Sequence, residues 1–118
     1  MEQRFKAKVV WLILNGSVEE ALKTLAGYYG VDVPKVRVGL PKGRKKNVLG
    51  CYSAKDKTIS VLNSDVLKEP FTVLHEFYHH LRTAPDARHR GTERYANEFA
   101  GEFIQAYNSM VAHASGDD

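Results

Sequence analysis

Phe71-Thr72-Val73-Leu74-His75-Glu76-Phe77-Tyr78-His79-His80 is the stretch on which the fold turns. Pro70 precedes it and suits a first helical position, where its missing N–H is not needed. Leu74, Phe77, Tyr78 and Leu81 follow the spacing of a buried helical stripe. An amphipathic helix from Pro70 to about Arg82 is therefore expected. His75 and His79 stand about one turn apart on an adjoining face of that helix. Two imidazoles so placed can bind one Zn²⁺, with Glu76 beside the metal-bound water, which is the logic of the HExxH pattern.

The chain upstream of Pro70 is β in pattern. Val48 to Ser53 and Thr58 to Leu62 read as strands joined by Ala54-Lys55-Asp56-Lys57, and Val36 and Val38 flank Arg37 in a shorter strand. Asn63 to Glu69 reads as a loop or a short turn of helix. The strands are close in sequence, so an antiparallel meander is the expected pairing. Two helices come before them. Glu2 to Leu14 carries Phe5, Val9, Leu12 and Ile13 on one side and is broken by Asn15-Gly16. Ser17-Val18-Glu19-Glu20 has the form of a capping box opening a second helix, with Leu22, Leu25, Ala26 and Tyr29 inward and Gly30 at its end.

Downstream, Thr83 to Gly91 reads as a loop. A long helix follows from about Thr92 to Val111, with Ala96, Phe99, Phe103, Tyr107 and Met110 as its buried stripe. Residues 112–118 read as a flexible tail. The order ααβββαα gives one α+β domain over residues 1–118. It comprises two N-terminal helices, a small, three-stranded, mainly antiparallel sheet, the HExxH helix and a C-terminal glutamate helix.

Composition narrows the function classes. A net charge of +3 and a pI near 9.0 are mildly basic, a balance that favours anionic partners only weakly and that a few solvated lysines account for, so nucleic acid is an unlikely partner. The connection Pro41 to Asn47 (PKGRKKN) reads as a solvated loop, with steering of an acidic substrate as its functional alternative. Cys51 is the single cysteine, so no intramolecular disulfide forms, and a reducing, cytoplasmic setting is expected. The apolar run Val9 to Leu14 is too short to span a membrane or to act as a secretory core, so no membrane partner is expected.

A catalytic zinc site needs a third protein ligand. The candidates are Glu93, Glu98, Glu102, His89 and His80. On the last helix, Glu93 lies roughly 80° from the centre of the buried stripe and Glu98 roughly 140° away. Glu93 is thus at the border of the core, where a cleft ligand belongs, and Glu98 faces solvent. Glu102 is intermediate and two turns further along. Asn97, one turn after Glu93, is placed to accept the free N–H of a ligating histidine. Tyr78, His80 and His89 are the candidates for stabilising an oxyanion.

These residues resemble a known family. HExxH followed on the next helix by a glutamate ligand is the gluzincin arrangement. Phe71-Thr72-Val73-Leu74-His75-Glu76 is similar to the "rfTlaHElgH" block of the ImmA/IrrE-like metallopeptidases. Their "ExEANxFA" block is matched at Glu93, Ala96, Asn97, Phe99 and Ala100. Gly50-Cys51-Tyr52 through Thr58 to Asn63 resembles the strand pair before their active-site helix. In size the chain is more like the stand-alone minigluzincins. The resemblance implies zinc as cofactor, His75, His79 and Glu93 as its ligands, Glu76 as general base, and a polypeptide substrate. Tyr78 departs from the pattern, since the relatives usually have Gly there. No helix-turn-helix accompanies the catalytic part, so repressor cleavage is not carried over. Minigluzincins also occur as zymogens held by a C-terminal segment. The alternative expectation is therefore a latent or regulatory zinc module, in which Met110 to Asp118 enters the cleft and brings His113 or Asp117 to the metal.

Overall fold

A computed structural model describes residues 2–43, 48–83 and 93–116. Two helices open the chain, α1 (Glu2–Leu14) and α2 (Val18–Tyr29). Strands β1 (Lys35–Val38), β2 (Gly50–Ser53) and β3 (Thr58–Val61) follow. A 3-10 turn at Ser64–Lys68 leads into α3 (Pro70–Leu81), and α4 (Glu93–Gly116) closes the chain. This is an α+β domain with the expected helices in the expected order.

Local chemistry accounts for most boundaries. Gly16 takes a left-handed φ of 83° after α1, and Gly30 one of 71° after α2, where its N–H donates to the Ala26 carbonyl. Pro70 begins α3 as expected. The capping box is not formed: Ser17 sits at the α2 N-cap, but its side chain makes no capping hydrogen bond, because its φ and ψ of −106° and 53° lie outside the extended geometry a cap uses. Asn63 does cap, its side chain accepting from the Val66 N–H.

The sheet differs from the expected meander. β2 and β3 form the antiparallel hairpin, but β1 pairs with β3 in parallel, giving the order β1-β3-β2. The connection after β1 passes β3 by and delivers β2 to the far side; β3 then returns between the two. Gly39 N–H donates to the Val61 carbonyl and Leu62 N–H to the Leu49 carbonyl, so both ends of that connection are fastened at one end of β3. Residues 44–47 of the basic loop lie outside the described residues.

The core lies between the helices and the inner face of the sheet. Phe77, Phe103, Ile13, Leu22, Leu25, Ile59 and Leu74 are its largest fully buried side chains. α1 lies antiparallel to α4: Phe5 meets Phe103, and Lys6 pairs with Glu102 at 3.3 Å. α4 runs on through Gly116 instead of ending at Val111, so residues 112–116 of the expected tail are helical. Met110 is exposed rather than part of the buried stripe. Among the described residues no helix is long and apolar enough to cross a membrane.

Candidate metal centre

His75 and His79 project from one face of α3, and the first residue of α4 meets them. Glu93 places Oε1 2.8 Å from His75 Nε2 and Oε2 3.1 Å from His79 Nε2. Among the described residues, these three form a cluster whose donor atoms lie within 4.8 Å of one another. The imidazoles are sheltered, with 13% and 19% of their side-chain surface exposed, whereas Glu93 is 76% exposed. The imidazole side of the cluster is therefore sheltered, and its carboxylate side is exposed.

The donor chemistry fits a cation. His75 Nδ1 lies 2.9 Å from Asn97 Oδ1, so both ring nitrogens of His75 face acceptor oxygens. A neutral imidazole has a single N–H. With Nδ1–H donating to Asn97, the Nε2 lone pair is aimed at a carboxylate, an arrangement that a metal ion between them would reconcile. The separations of 2.8 and 3.1 Å fall just short of the roughly 3.3 Å edge of a tetrahedron built from ~2 Å zinc–ligand bonds. Burial, its largest cause, pushes the His79 pKa down; Glu93 opposes this and His75 adds to it. His79 thus favours the neutral form that donates a lone pair.

Glu76 is buried on the next face of α3, beside β2. A methyl group added at Gly50 would lie 3.0 Å from Thr72 Cγ2, 3.2 Å from the Ser60 carbonyl oxygen and 3.5 Å from Glu76 Cγ. Gly50 is therefore the point at which the strand backbone passes closest beneath the HExxH helix. A glycine inside a strand pattern is the sequence signal for such an approach, and it identifies Gly50 as part of the site's frame.

The remaining candidates are distributed as follows. His80 is buried, with Nε2 2.7 Å from the Asp32 carbonyl oxygen and Nδ1 2.7 Å from the Tyr52 hydroxyl. A carbonyl only accepts, so Nε2 carries the hydrogen and Nδ1 accepts from Tyr52. Both nitrogens are engaged, which removes His80 from the ligand and oxyanion candidates. Tyr78 packs its ring 5.4 Å from that of Phe99 and 6.1 Å from that of His79, filling the space between α3 and α4. Glu98 turns away toward Arg94, at 3.4 Å, and Glu102 toward Lys6. His89 lies outside the described residues. His113 is about 30 Å along the α4 axis from Glu93, so in this conformation His113 does not reach the cluster. Asp117 lies outside the described residues.

No protein-family model matches this chain, and no significant match is found among curated proteins or solved structures.

Proposed function

We propose that the chain is a zinc-dependent endopeptidase, with His75, His79 and Glu93 holding the ion and Glu76 as general base. One observation carries this reading: a single carboxylate faces two imidazole nitrogens while a buried glutamate lies between the two histidines in sequence. A bound zinc ion would supply Lewis acidity, acidifying water and polarising a scissile carbonyl. Asn97 fixes the His75 ring by accepting its Nδ1–H. Glu76 accepts the proton of the attacking water and passes it to the leaving amine nitrogen; the C–N bond breaks and the water oxygen ends in the new carboxylate. The family resemblance of residues 71–76 and 93–100 supports the same assignment.

The sheet supports a polypeptide as substrate. β2 is an edge strand. Leu62 N–H donates to Leu49, which marks that pair as hydrogen-bonded, and such pairs alternate along an antiparallel ladder. Gly50 and Tyr52 consequently turn their N–H and C=O groups toward the open edge. An extended peptide adding to that edge would run past Gly50, beside Glu76. A buried thiol at Cys51 accords with a reducing, cytoplasmic setting.

The test is zinc stoichiometry together with casein cleavage for the wild type and Glu76→Ala. Lost cleavage with retained zinc is the expected outcome. A wild-type protein that binds no metal would sink the proposal.

A further inference from the structure

The residue that follows the second histidine of the HExxH pattern is not one of the three clustered residues, yet both nitrogens of its side chain are used. His80 joins three segments. It belongs to the last turn of α3; it donates to the Asp32 carbonyl in the link between α2 and β1; and it accepts from Tyr52 on β2, with both bonds at 2.7 Å. Burial pushes the Tyr52 phenol up, which keeps its hydroxyl a donor. Asp32 is held in turn by Lys57 of the β2–β3 turn at 3.2 Å.

The placement along β2 gives this bond its meaning. Gly50 and Tyr52 are the two residues of β2 that point toward α3, and they are also the two whose peptide groups turn to the open edge. Gly50 is seated beneath Thr72 and Glu76. Tyr52 lies about 6.8 Å further along the strand and is bonded to His80. The edge is thus attached to the HExxH helix at two points. A strand held only at Gly50 is free to swing about that contact; one held at both points has a fixed direction relative to Glu76.

We infer that His80 is a positioning residue which, through Tyr52, aligns the open edge of β2 with the metal cleft and so sets which peptide bond of an extended substrate meets Glu76. The inference rests on the peptidase reading above. His80 and Tyr52 supply no ligand, so the bond between them governs substrate register and leaves metal affinity alone.

The experiment compares the wild type with Tyr52→Phe, which deletes only the hydroxyl, and with His80→Gln, which retains an amide donor and acceptor. Co²⁺ affinity is read by titration, and KM, kcat and cleavage positions on oxidised insulin B chain are read for each protein. For Tyr52→Phe, KM should rise about fivefold or more, kcat should move less than about twofold, and cleavage should spread to neighbouring bonds. Co²⁺ affinity should stay within about twofold, because the substitution lies outside the ligands and their hydrogen-bond partners. His80→Gln should retain part of the wild-type cleavage pattern. Co²⁺ affinity falling in step with a rising KM would overturn the inference, as would an unchanged KM and cleavage pattern. Amide exchange of the metal-free protein supplies an independent readout. In Tyr52→Phe, exchange in residues 50–53 and 79–83 should speed up about tenfold. Unchanged exchange overturns the tie whatever the metal does. Accelerated exchange in a protein that takes up no Co²⁺ supports the tie between β2 and α3 and removes the peptidase reading instead.

Discussion

Glu93 Oε1 lies 2.8 Å from His75 Nε2, while the opposite nitrogen of the same ring lies 2.9 Å from Asn97 Oδ1. Two residues one turn apart on α4 therefore grip a single imidazole of α3 from both sides. The ring cannot turn without losing one of them. Both helices must be docked before the cluster exists, so the site reports on the α3–α4 packing made by Phe77, Tyr78 and Phe99.

The two grips should weigh differently on metal binding. Asn97→Ala removes an outer hydrogen bond and should weaken zinc affinity about 10–100-fold. Glu93→Gln replaces a charged carboxylate by a neutral amide and, if Glu93 holds the ion as proposed, should weaken it more than Asn97→Ala does. Competition against a chelator of known affinity measures both. Equal losses would mean that Glu93 is not a ligand.

Gly50→Ala should destabilise the fold by about 1–3 kcal/mol, the usual cost of overpacking. The added methyl meets Thr72 Cγ2 at 3.0 Å and the Ser60 carbonyl oxygen at 3.2 Å. Thr72→Ser deletes the nearer obstacle, so the double variant should recover part of the loss. Urea unfolding of the four proteins of this cycle is the measurement. Strict additivity would show that the methyl does not press on Thr72.

Burial, and after it the neighbouring Tyr28, Glu2 and Glu102, pushes the Tyr29 pKa up from 10.0 to about 12. The folded chain then keeps the phenol protonated at a pH where the unfolded chain releases its proton. The unfolded state binds fewer protons in this window, so stability falls as pH rises from 10 to about 12. Tyr29→Phe should unfold with a shallower alkaline decline than the wild type. Thermal melts across that range test it, and parallel declines would count against the assignment.

Helix caps offer a contrast. Ser17→Ala should change stability by less than about 0.5 kcal/mol, since the Ser17 side chain makes no capping bond. Asn63→Ala should cost about 1 kcal/mol, because its side chain accepts from the Val66 N–H. Denaturant midpoints of the two variants decide the order.

Much of this was legible in the sequence because short-range patterns carried it. The apolar spacing of Leu74 and Phe77, Pro70 at a helix start and Gly30 at a helix end are local signals, and they located α2 and α3 closely. The cluster was legible because helical periodicity fixes the angle of Glu93 relative to Ala96 and Phe103. What stayed hidden depends on contacts distant in sequence. The β1–β3 pairing is one case: strand order follows from which faces must be covered, and the alternation of Val36 and Val38 is the same in a parallel or an antiparallel pair. His80 is another. Its partners, the Asp32 carbonyl and the Tyr52 hydroxyl, carry no spacing signal, so the sequence alone leaves it among the ligand candidates. Ser17 shows the limit of a local rule, since the motif is present while the backbone angles withhold the bond.

The strand order has a consequence in time as well as in space. The β2–β3 hairpin closes across a four-residue turn, Ala54 to Lys57, and can form early from local contacts. β1 joins β3 at a separation of about twenty residues, and the strand it needs as a template is the last of the three to be synthesised. Folding is then expected to be paced by the closure of β1 onto a finished hairpin. Substitutions at Val36 should chiefly speed unfolding if that closure follows the rate-limiting barrier, and slow folding if it is the barrier itself. A chevron plot for Val36→Ala distinguishes the two, and a slowed folding limb would identify the crossover as the step that sets how fast this small domain assembles.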